Sequence, residues 1–237
     1  MQATKAELAG ASKQSERAER DPNSESARVD RRSFLKNGTV VGASAVAALS
    51  VGAITAQAQG FGDGQTRLYF RDIQRHENDH VAYLVDALGA AARPKPTFRN
   101  LLQKSRRDFF EVSQDLENTG VGAYLGAAPV IFSRPILAAA GSIALIEGRH
   151  AGWLNTLVND RLTANVYGEE QSFERALTAD EVVTLASSFI ADLAGGPPVT
   201  YSSTPSAAND IAILNFALAL EYLEAEFYNV NVPVFIR

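Results

Sequence analysis

The 237-residue chain has a globular composition, with 46% hydrophobic residues and a formal net charge of −5. It contains no cysteine, which excludes disulfides, zinc–thiolate sites and iron–sulfur clusters. Residues 1–58 carry a net charge of +2 (8 Lys/Arg, 6 Asp/Glu), whereas residues 59–237 carry −7 (14 and 21). An acidic body without a basic cluster argues against a nucleic-acid partner.

The N-terminal part of the chain has the order of an export signal. Residues 1–30 are polar, of mixed charge and without hydrophobic periodicity, which predicts disorder. A twin-arginine motif, Asp-Arg-Arg-Ser-Phe-Leu-Lys, follows at residues 30–36. The weakly hydrophobic run at 38–55 then ends in Ala-Gln-Ala at 56–58, which is typical of a cleavage site. A transmembrane anchor is the alternative, but small residues interrupt this run.

These features predict a twin-arginine signal peptide with a polar extension at 1–58 and a folded domain at 59–237. The twin-arginine route carries folded proteins, often with a cofactor already loaded. We therefore expect a periplasmic or extracellular protein with no stable membrane span after the signal is cleaved.

The first predicted helix runs from Thr66 to about Leu88, with Gly89 as its stop. Two prolines in residues 93–96 predict a linker. Thr97 is a suitable N-cap for a second helix, which we expect to reach about residue 125. The apolar positions of the first helix are Leu68, Ile73, Val81, Leu84, Val85 and Leu88. The inward positions expected in the second are Leu101, Phe109, Val112, Leu116 and Tyr124.

Three further helices are predicted in the C-terminal half. The third begins at Ser133, with Pro135 in its first turn, and runs to about residue 162. A capping box of Thr178 and Glu181 opens a short fourth helix that ends at the Gly-Gly-Pro-Pro of 195–198. The last runs from Asn209 or Asp210 to about residue 228. No stretch alternates with a period of two, so we expect no sheet. The fold class is all-α, and the long helices indicate a bundle.

Two copies of a Glu-x-x-His motif occur on predicted helices, as Glu77 with His80 and Glu147 with His150. The spacing places each carboxylate and imidazole on one helix face, so that both can bind one transition-metal ion. The chain has only three histidines, and two lie in this pattern. An aromatic residue at +3 and a leucine at +4 follow each motif histidine, which indicates a duplicated helix.

A di-metal site in a bundle also needs one glutamate from each of two other helices. Glu117 and Glu221 are the candidates, because each lies among apolar residues of a predicted helix. An unpaired carboxylate in such a stripe would be costly. Each is followed seven residues later by a tyrosine, Tyr124 or Tyr228, which the two-turn spacing places on the face of its own glutamate.

Four more residues lie near this predicted set. Glu224 lies one turn further along the last helix and is either a seventh ligand or a group that contacts one. His76, one turn before the first motif, is expected beside the ligands or at the surface rather than among them. Tyr124 and Tyr228 are interpreted as core residues, with a hydrogen bond to a ligand as the alternative.

The chain resembles the ferritin-like superfamily, and more narrowly the exported ferritin-like proteins related to plant desiccation-associated proteins. Four segments carry the resemblance: 213–228, 117–129, 147–152 and the helix with Glu77 and His80. It implies a ferritin-like four-helix bundle with an extra short crossover helix, and a centre of two iron or manganese ions. The six superfamily ligand positions fall on Glu77, His80, Glu117, Glu147, His150 and Glu221.

The order of the helices departs from this pattern, because the segment with Glu221 ordinarily comes first. We interpret the chain as circularly permuted. The alternatives are a helix exchanged between the subunits of a homo-oligomer and a truncated tandem fusion.

Two functions are compatible with these features. The first is an exported di-metal oxidoreductase that acts on peroxide or dioxygen, a small-molecule oxidant, in stress protection. The alternative is a non-catalytic desiccation- or stress-related bundle that binds metal or stabilises surfaces. The ligand types do not distinguish iron from manganese, and no catalytic residue is predicted.

Overall fold

The computed structural model describes residues 63–237, which lie within a compact unit formed by Gly60–Arg237. The predictions of a disordered extension, a twin-arginine signal and a cleavage site at 1–58 fall outside the described residues. Within residues 63–237, no helix is long and apolar enough to cross a membrane.

The described residues form an all-α bundle, as predicted. Four long helices make the bundle, in which α1 packs mainly on α5 and α2 on α3, while α2 also contacts α5 and the short helix α4. The helices are α1 (Asp63–Leu88), α2 (Arg106–Ala127), α3 (Arg134–Leu157), α4 (Ala179–Ala186) and α5 (Ala207–Phe235). Single 3-10 turns follow α1 at Gly89–Ala91 and α2 at Ala128–Val130.

Several predicted helix boundaries are confirmed by their caps. Gly89 follows α1 with a positive φ of 53°, a conformation that glycine adopts without strain. Thr178 and Glu181 form the predicted capping box at the start of α4. Ser133 precedes α3, and its backbone N–H donates to the Asp210 carboxylate over 2.9 Å. Asp210 thus joins the start of α5 to the start of α3.

The predicted start of the second helix was wrong, and so was the expectation of no sheet. Ser105 is the N-cap, with its side chain accepting a hydrogen bond from the Asp108 backbone N–H. Thr97 and Phe98 instead form strand β1, which pairs antiparallel with β2 (Ile190–Asp192). The partner strand lies about 90 residues away in sequence, so local propensity does not reveal the pairing. Leu101 consequently lies outside α2.

Three predicted helix ends were also wrong. Helix α3 ends at Leu157 because Asn155 donates hydrogen bonds to the carbonyls of Leu162 and Ala164, which turns the chain back. Helix α4 ends at Ala186, well before residue 195, and β2 follows it. Helix α5 starts after Ser206 and continues to Phe235, because its last turns pack against the core.

Two apolar residues assigned to the periodic pattern of α1 face outward. Leu68 is 56% exposed and Val85 is 36% exposed, whereas Phe70, Ile73 and Leu84 are buried. At its N-terminal end, α1 therefore faces the core with Thr66 and Phe70, two positions on either side of Leu68.

The polypeptide between α3 and α5 lies directly against α2 at two glycines. The Leu177 N–H donates to the Gly122 carbonyl over 2.9 Å. A Cβ atom at Gly126 would lie 1.8 Å from the Leu177 carbonyl oxygen, so no other residue fits there without a shift of the backbone. These glycines permit the crossover segment to approach α2 closely.

Candidate metal centre

All six predicted ligands converge in the middle of the bundle, and we call them the donor cluster. They form two groups of four, in which the potential ligand atoms lie within 4.8 Å of one another. The first group contains Glu77, His80, Glu147 and Glu221, and the second Glu77, Glu117, Glu147 and His150. Glu77 and Glu147 belong to both. Helices α1, α2, α3 and α5 of one chain therefore supply every member.

In the first group, three carboxylates surround the Nδ1 atom of His80. Glu147 Oε1 lies 3.0 Å away, Glu77 Oε2 3.1 Å and Glu221 Oε2 3.3 Å. A single N–H can satisfy one of these acceptors well but not three. Hydrogen bonding to His80 therefore does not account for the presence of three carboxylates around this one atom.

The second group repeats this arrangement around His150. Its Nδ1 atom lies 3.0 Å from Glu117 Oε2, 3.2 Å from Glu77 Oε1 and 3.5 Å from Glu147 Oε2. Each motif histidine contacts the glutamate of the other motif, because α1 and α3 are antiparallel at this level. The two halves of the cluster are thus related by an approximate two-fold axis.

The donor cluster has the burial and the donor atoms of a metal site. All four carboxylates are at most 1% exposed. Four of their oxygens have no hydrogen-bond donor of good geometry: Glu77 Oε1, both oxygens of Glu147 and Glu221 Oε2. Buried carboxylate oxygens without donors are costly, and a bound cation removes that cost. Carboxylate and imidazole donors in this number suit iron or manganese.

The pKa values of the carboxyl groups diverge within the cluster. Burial raises the pKa of Glu117 to about 7, against the opposing effect of His150. Burial likewise raises the pKa of Glu221 to about 8, although its close contact with His80 opposes this. For Glu147, burial is outweighed by close contacts with His150 and His80, so its pKa is lowered. Among the carboxyl groups of the cluster, protons therefore compete with metal mainly at Glu117 and Glu221.

The pKa values of His80 and His150 are raised, although burial alone would lower them. Burial alone would lower the pKa of His80, but contacts with Glu147, Glu221 and Glu77 outweigh it and raise the pKa to about 12. The pKa of His150 is raised for the same reason, chiefly by Glu117. Without metal, the two imidazolium charges partly compensate the carboxylates, and metal binding must displace their protons.

Two tyrosines donate hydrogen bonds to Glu117 and Glu221, the two glutamates outside the Glu-x-x-His motifs. The pairs differ from those that the sequence spacing suggests. The Tyr228 hydroxyl donates to Glu117 Oε1 over 2.6 Å, and the Tyr124 hydroxyl donates to Glu221 Oε1 over 2.5 Å. Each tyrosine therefore contacts the glutamate of the other helix rather than its own. The interpretation of both as hydrogen-bond donors to candidate ligands fits this geometry better than a purely apolar role.

A family model described as a ferritin-like domain matches residues 25–160 and 209–234. The matched segments cover more than half of the chain and contain all six members of the donor cluster. The chain belongs to the ferritin-like domain family. Comparisons with curated proteins and with solved structures returned no match. The ferritin-like match omits residues 161–208, the crossover that contains α4 and β2.

In this ferritin-like bundle His76 contacts a member of the donor cluster without belonging to either group. Its Nδ1 lies 2.9 Å from His150 Nε2, and its Nε2 lies 3.0 Å from Arg75 Nη2. Burial, with His150 and Arg75, lowers the pKa of His76, which favours the neutral ring. One of the two rings donates a hydrogen to the other across this contact, which holds the His150 ring in position. The sequence did not indicate the role of Arg75.

Glu224 also lies outside both donor groups. It is buried, and burial together with Glu147 and Glu221 raises its pKa well above the usual range. A Cβ atom at Gly120 would lie 3.3 Å from Glu224 Oε1 and 3.9 Å from Glu147 Oε2. Glu224 lines a cavity of about 310 Å³ between α2, α5 and the crossover. The ferritin-like geometry thus places Glu224 next to the cluster rather than within it.

Proposed function

We propose that this ferritin-like protein binds two iron or manganese ions in the donor cluster and performs oxidoreductase chemistry on peroxide or dioxygen. The observation that carries the proposal is the pair of overlapping four-donor groups that share Glu77 and Glu147. Four carboxylate oxygens in these groups have no hydrogen-bond donor of good geometry. Two cations would satisfy them.

Each donor has a role in this proposal. Glu77 and Glu147 would contribute ligand atoms to both ion sites, because each belongs to both groups. His80 and Glu221 complete one site, and His150 and Glu117 complete the other. The four carboxylates supply four negative charges, which offset two divalent cations in a buried position.

Bound iron or manganese ions would supply reversible one-electron chemistry that the side chains lack. The chain itself holds the donors in place. Tyr124 and Tyr228 fix the orientation of Glu221 and Glu117 through their hydroxyl hydrogens, and a hydrogen bond with His76 holds the ring of His150. The surrounding apolar core, which includes Phe70 and Phe109, limits the access of water.

The first test is elemental analysis of the purified protein after loading with iron or manganese. We expect two ions per chain in the wild type and none in the double variant Glu147→Ala, His150→Ala. Glu226→Gln on α5 is the matched control, because Glu226 pairs with Lys95 at the surface and should leave the metal content unchanged. Absence of iron and manganese from the loaded wild type would refute the proposal.

A second candidate is a non-catalytic stress- or desiccation-related bundle that binds metal or stabilises surfaces. The burial of the cluster favours it, since the most exposed donor side chain, His80, is only 12% exposed. This function predicts stoichiometric metal without turnover. Peroxide decay and oxygen uptake by the loaded protein distinguish the two candidates, because only the enzyme would consume either oxidant catalytically.

We also propose that the protein is exported. The support is the twin-arginine motif at residues 30–36 and the Ala-Gln-Ala of 56–58. Fractionation of cells that express the full chain tests this. We expect the wild type outside the cytoplasm, and the variant with Arg31→Lys and Arg32→Lys retained inside.

The circular permutation is likewise a proposal, supported by the position of the Glu221 helix at the end of the chain. Exchange of this helix between the subunits of a homo-oligomer stays the alternative. Mixing a Glu221→Gln chain with a Glu147→Gln chain tests them. Helix exchange predicts that metal binding recovers in the mixture, whereas a site completed within one chain predicts no recovery.

A further inference from the structure

An apolar cavity of about 130 Å³ lies between the four long helices at one end of the donor cluster. All four helices contribute to its wall. Its inner lining consists of Leu84 from α1, Ala123 and Tyr124 from α2, Ile143 from α3, and Ala217 and Leu220 from α5.

The cavity is adjacent to the donor cluster on α1, α3 and α5. Leu84 follows His80 by four residues, which is about one helical turn. Ile143 precedes Glu147 by four residues, and Ala217 precedes Glu221 by four. The helix directions are consistent, since the lining residue follows the donor on α1 and precedes it on α3 and α5. The cavity therefore begins about one turn from the donors of these three helices, and Tyr124 of α2 reaches Glu221 from its wall.

The chemistry of the lining selects against polar molecules. Apart from two tyrosine hydroxyls, every lining side chain is a hydrocarbon. One of those hydroxyls, that of Tyr124, already donates to Glu221. The other belongs to Tyr83, which is 49% exposed and therefore lies toward the solvent side. A polar molecule that entered the inner part would lose hydration without gaining hydrogen bonds.

The cavity also has a route to the surface. Tyr83 and Ala87 on α1 and Pro135 on α3 line it and are exposed. This opening lies at the seam between α1 and α3, whose main packing partners are α5 and α2, respectively. A small molecule can thus enter between these helices and reach Tyr124.

We propose that this cavity binds a small, uncharged, apolar molecule and delivers it to the donor cluster. Apolar cavities of comparable size bind benzene or xenon in water. The binding step stands on the cavity alone, whereas delivery of a substrate rests on the proposed di-metal function. Of the two oxidants in that proposal, dioxygen matches the apolar lining and peroxide, which is polar, does not.

The test of binding uses xenon and the metal-free protein, so it does not depend on metal or turnover. Under xenon pressure we expect saturable NMR shifts in the methyl groups of Leu84, Ile143 and Ala217. Ala140→Leu places additional carbon atoms in the cavity and should weaken xenon binding at least about tenfold. Ala138→Leu is the matched control, because Ala138 is exposed on the same helix and does not line the cavity.

Ile143→Ala provides a second variant with the opposite expectation, since it enlarges the cavity and should strengthen xenon binding. It also keeps the test valid if Ala140→Leu does not fold. Absence of saturable shifts in the wild type would overturn the proposal. Equal xenon binding in wild type, Ala140→Leu and Ile143→Ala would do the same.

Delivery is tested with the metal-loaded protein by comparing oxygen uptake with peroxide decay. We expect Ala140→Leu to slow oxygen uptake at unchanged metal content, while Ala138→Leu leaves it unchanged. If xenon binds but the loaded wild type consumes no oxidant, the cavity proposal survives and the enzymatic function fails. If oxygen uptake is equally fast in Ala140→Leu, delivery through the cavity is wrong although the enzyme is real.

Discussion

The hydroxyl of Tyr228 on α5 donates to the Glu117 carboxylate on α2 over 2.6 Å. Tyr124 on α2 makes the reciprocal contact with Glu221 on α5. The two contacts cross between antiparallel helices, so each helix contributes one donor carboxylate and the hydroxyl that orients the other. The positions of Glu117 and Glu221 are therefore coupled, although the two glutamates belong to different donor groups.

Removal of a tyrosine hydroxyl tests this coupling. In Tyr228→Phe, Glu117 Oε1 loses its donor inside the core, which should cost about 1–3 kcal/mol of the free energy of unfolding. Loss of such an orienting contact should also weaken metal binding by about 10- to 100-fold. Urea denaturation and calorimetric metal titration measure the two effects. Tyr222→Phe, on the same helix but outside the cluster, should change neither quantity as much.

Donors that belong to both groups and donors that belong to one group should differ in how many ions they control. Glu147 belongs to both donor groups, so Glu147→Gln should lose both ions. Glu221 belongs to one, so Glu221→Gln should retain about one ion per chain, bound by His150 and its neighbours. Elemental analysis after dialysis gives the stoichiometry. Equal metal content in the two variants would show that Glu147 does not serve both ion sites.

The stabilisation of the protein by metal should increase with pH. Burial raises the pKa of Glu221 from 4.5 to about 8 and that of Glu117 from 4.5 to about 7. Each group binds more proton when folded, so its contribution to the stability of the metal-free protein is present below 4.5 and is lost as the pH rises through 7 to 8. Metal replaces these protons. We therefore expect a larger increase in Tm on metal addition at about pH 8 than at about pH 5.

Glu221→Gln provides the control for this pH dependence. It removes one of the two raised groups, so the difference between the two pH values should become smaller. Thermal unfolding with and without metal, in buffers of matched ionic strength, measures this. A metal-induced rise in Tm that is independent of pH in the wild type would contradict the proton competition.

Contact between the crossover and α2 should make one glycine indispensable to stability. A Cβ atom at Gly126 would lie 1.8 Å from the Leu177 carbonyl oxygen, whereas one at Gly141 would meet nothing within 4 Å. Gly126→Ala should therefore destabilise the protein by about 1–3 kcal/mol. Gly141→Ala should stabilise it by up to about 1 kcal/mol, because alanine favours the helix. Chemical denaturation of both variants compares them directly.

The identity of the helices and of the six donors could be predicted from sequence because both depend on local periodicity. The three-residue spacing of Glu77 and His80 places them on one face of any helix, whatever that helix packs against. The apolar surroundings of Glu117 and Glu221 marked them as buried in the same way. Capping residues such as Thr178 act over one turn, and this prediction was confirmed.

Features that depend on register between distant segments could not be predicted in this way. The exchange of partners between Tyr124 and Tyr228 follows from the antiparallel alignment of α2 and α5, which no local pattern specifies. Strand β1 forms only because β2 lies beside it. The same holds for the sharing of Glu77 and Glu147 and for the apolar cavity. Sequence by itself determined that the donors and most of the apolar periodic residues point inward. The tertiary structure decided which of them meet, because contacts between helices depend on their relative direction and offset.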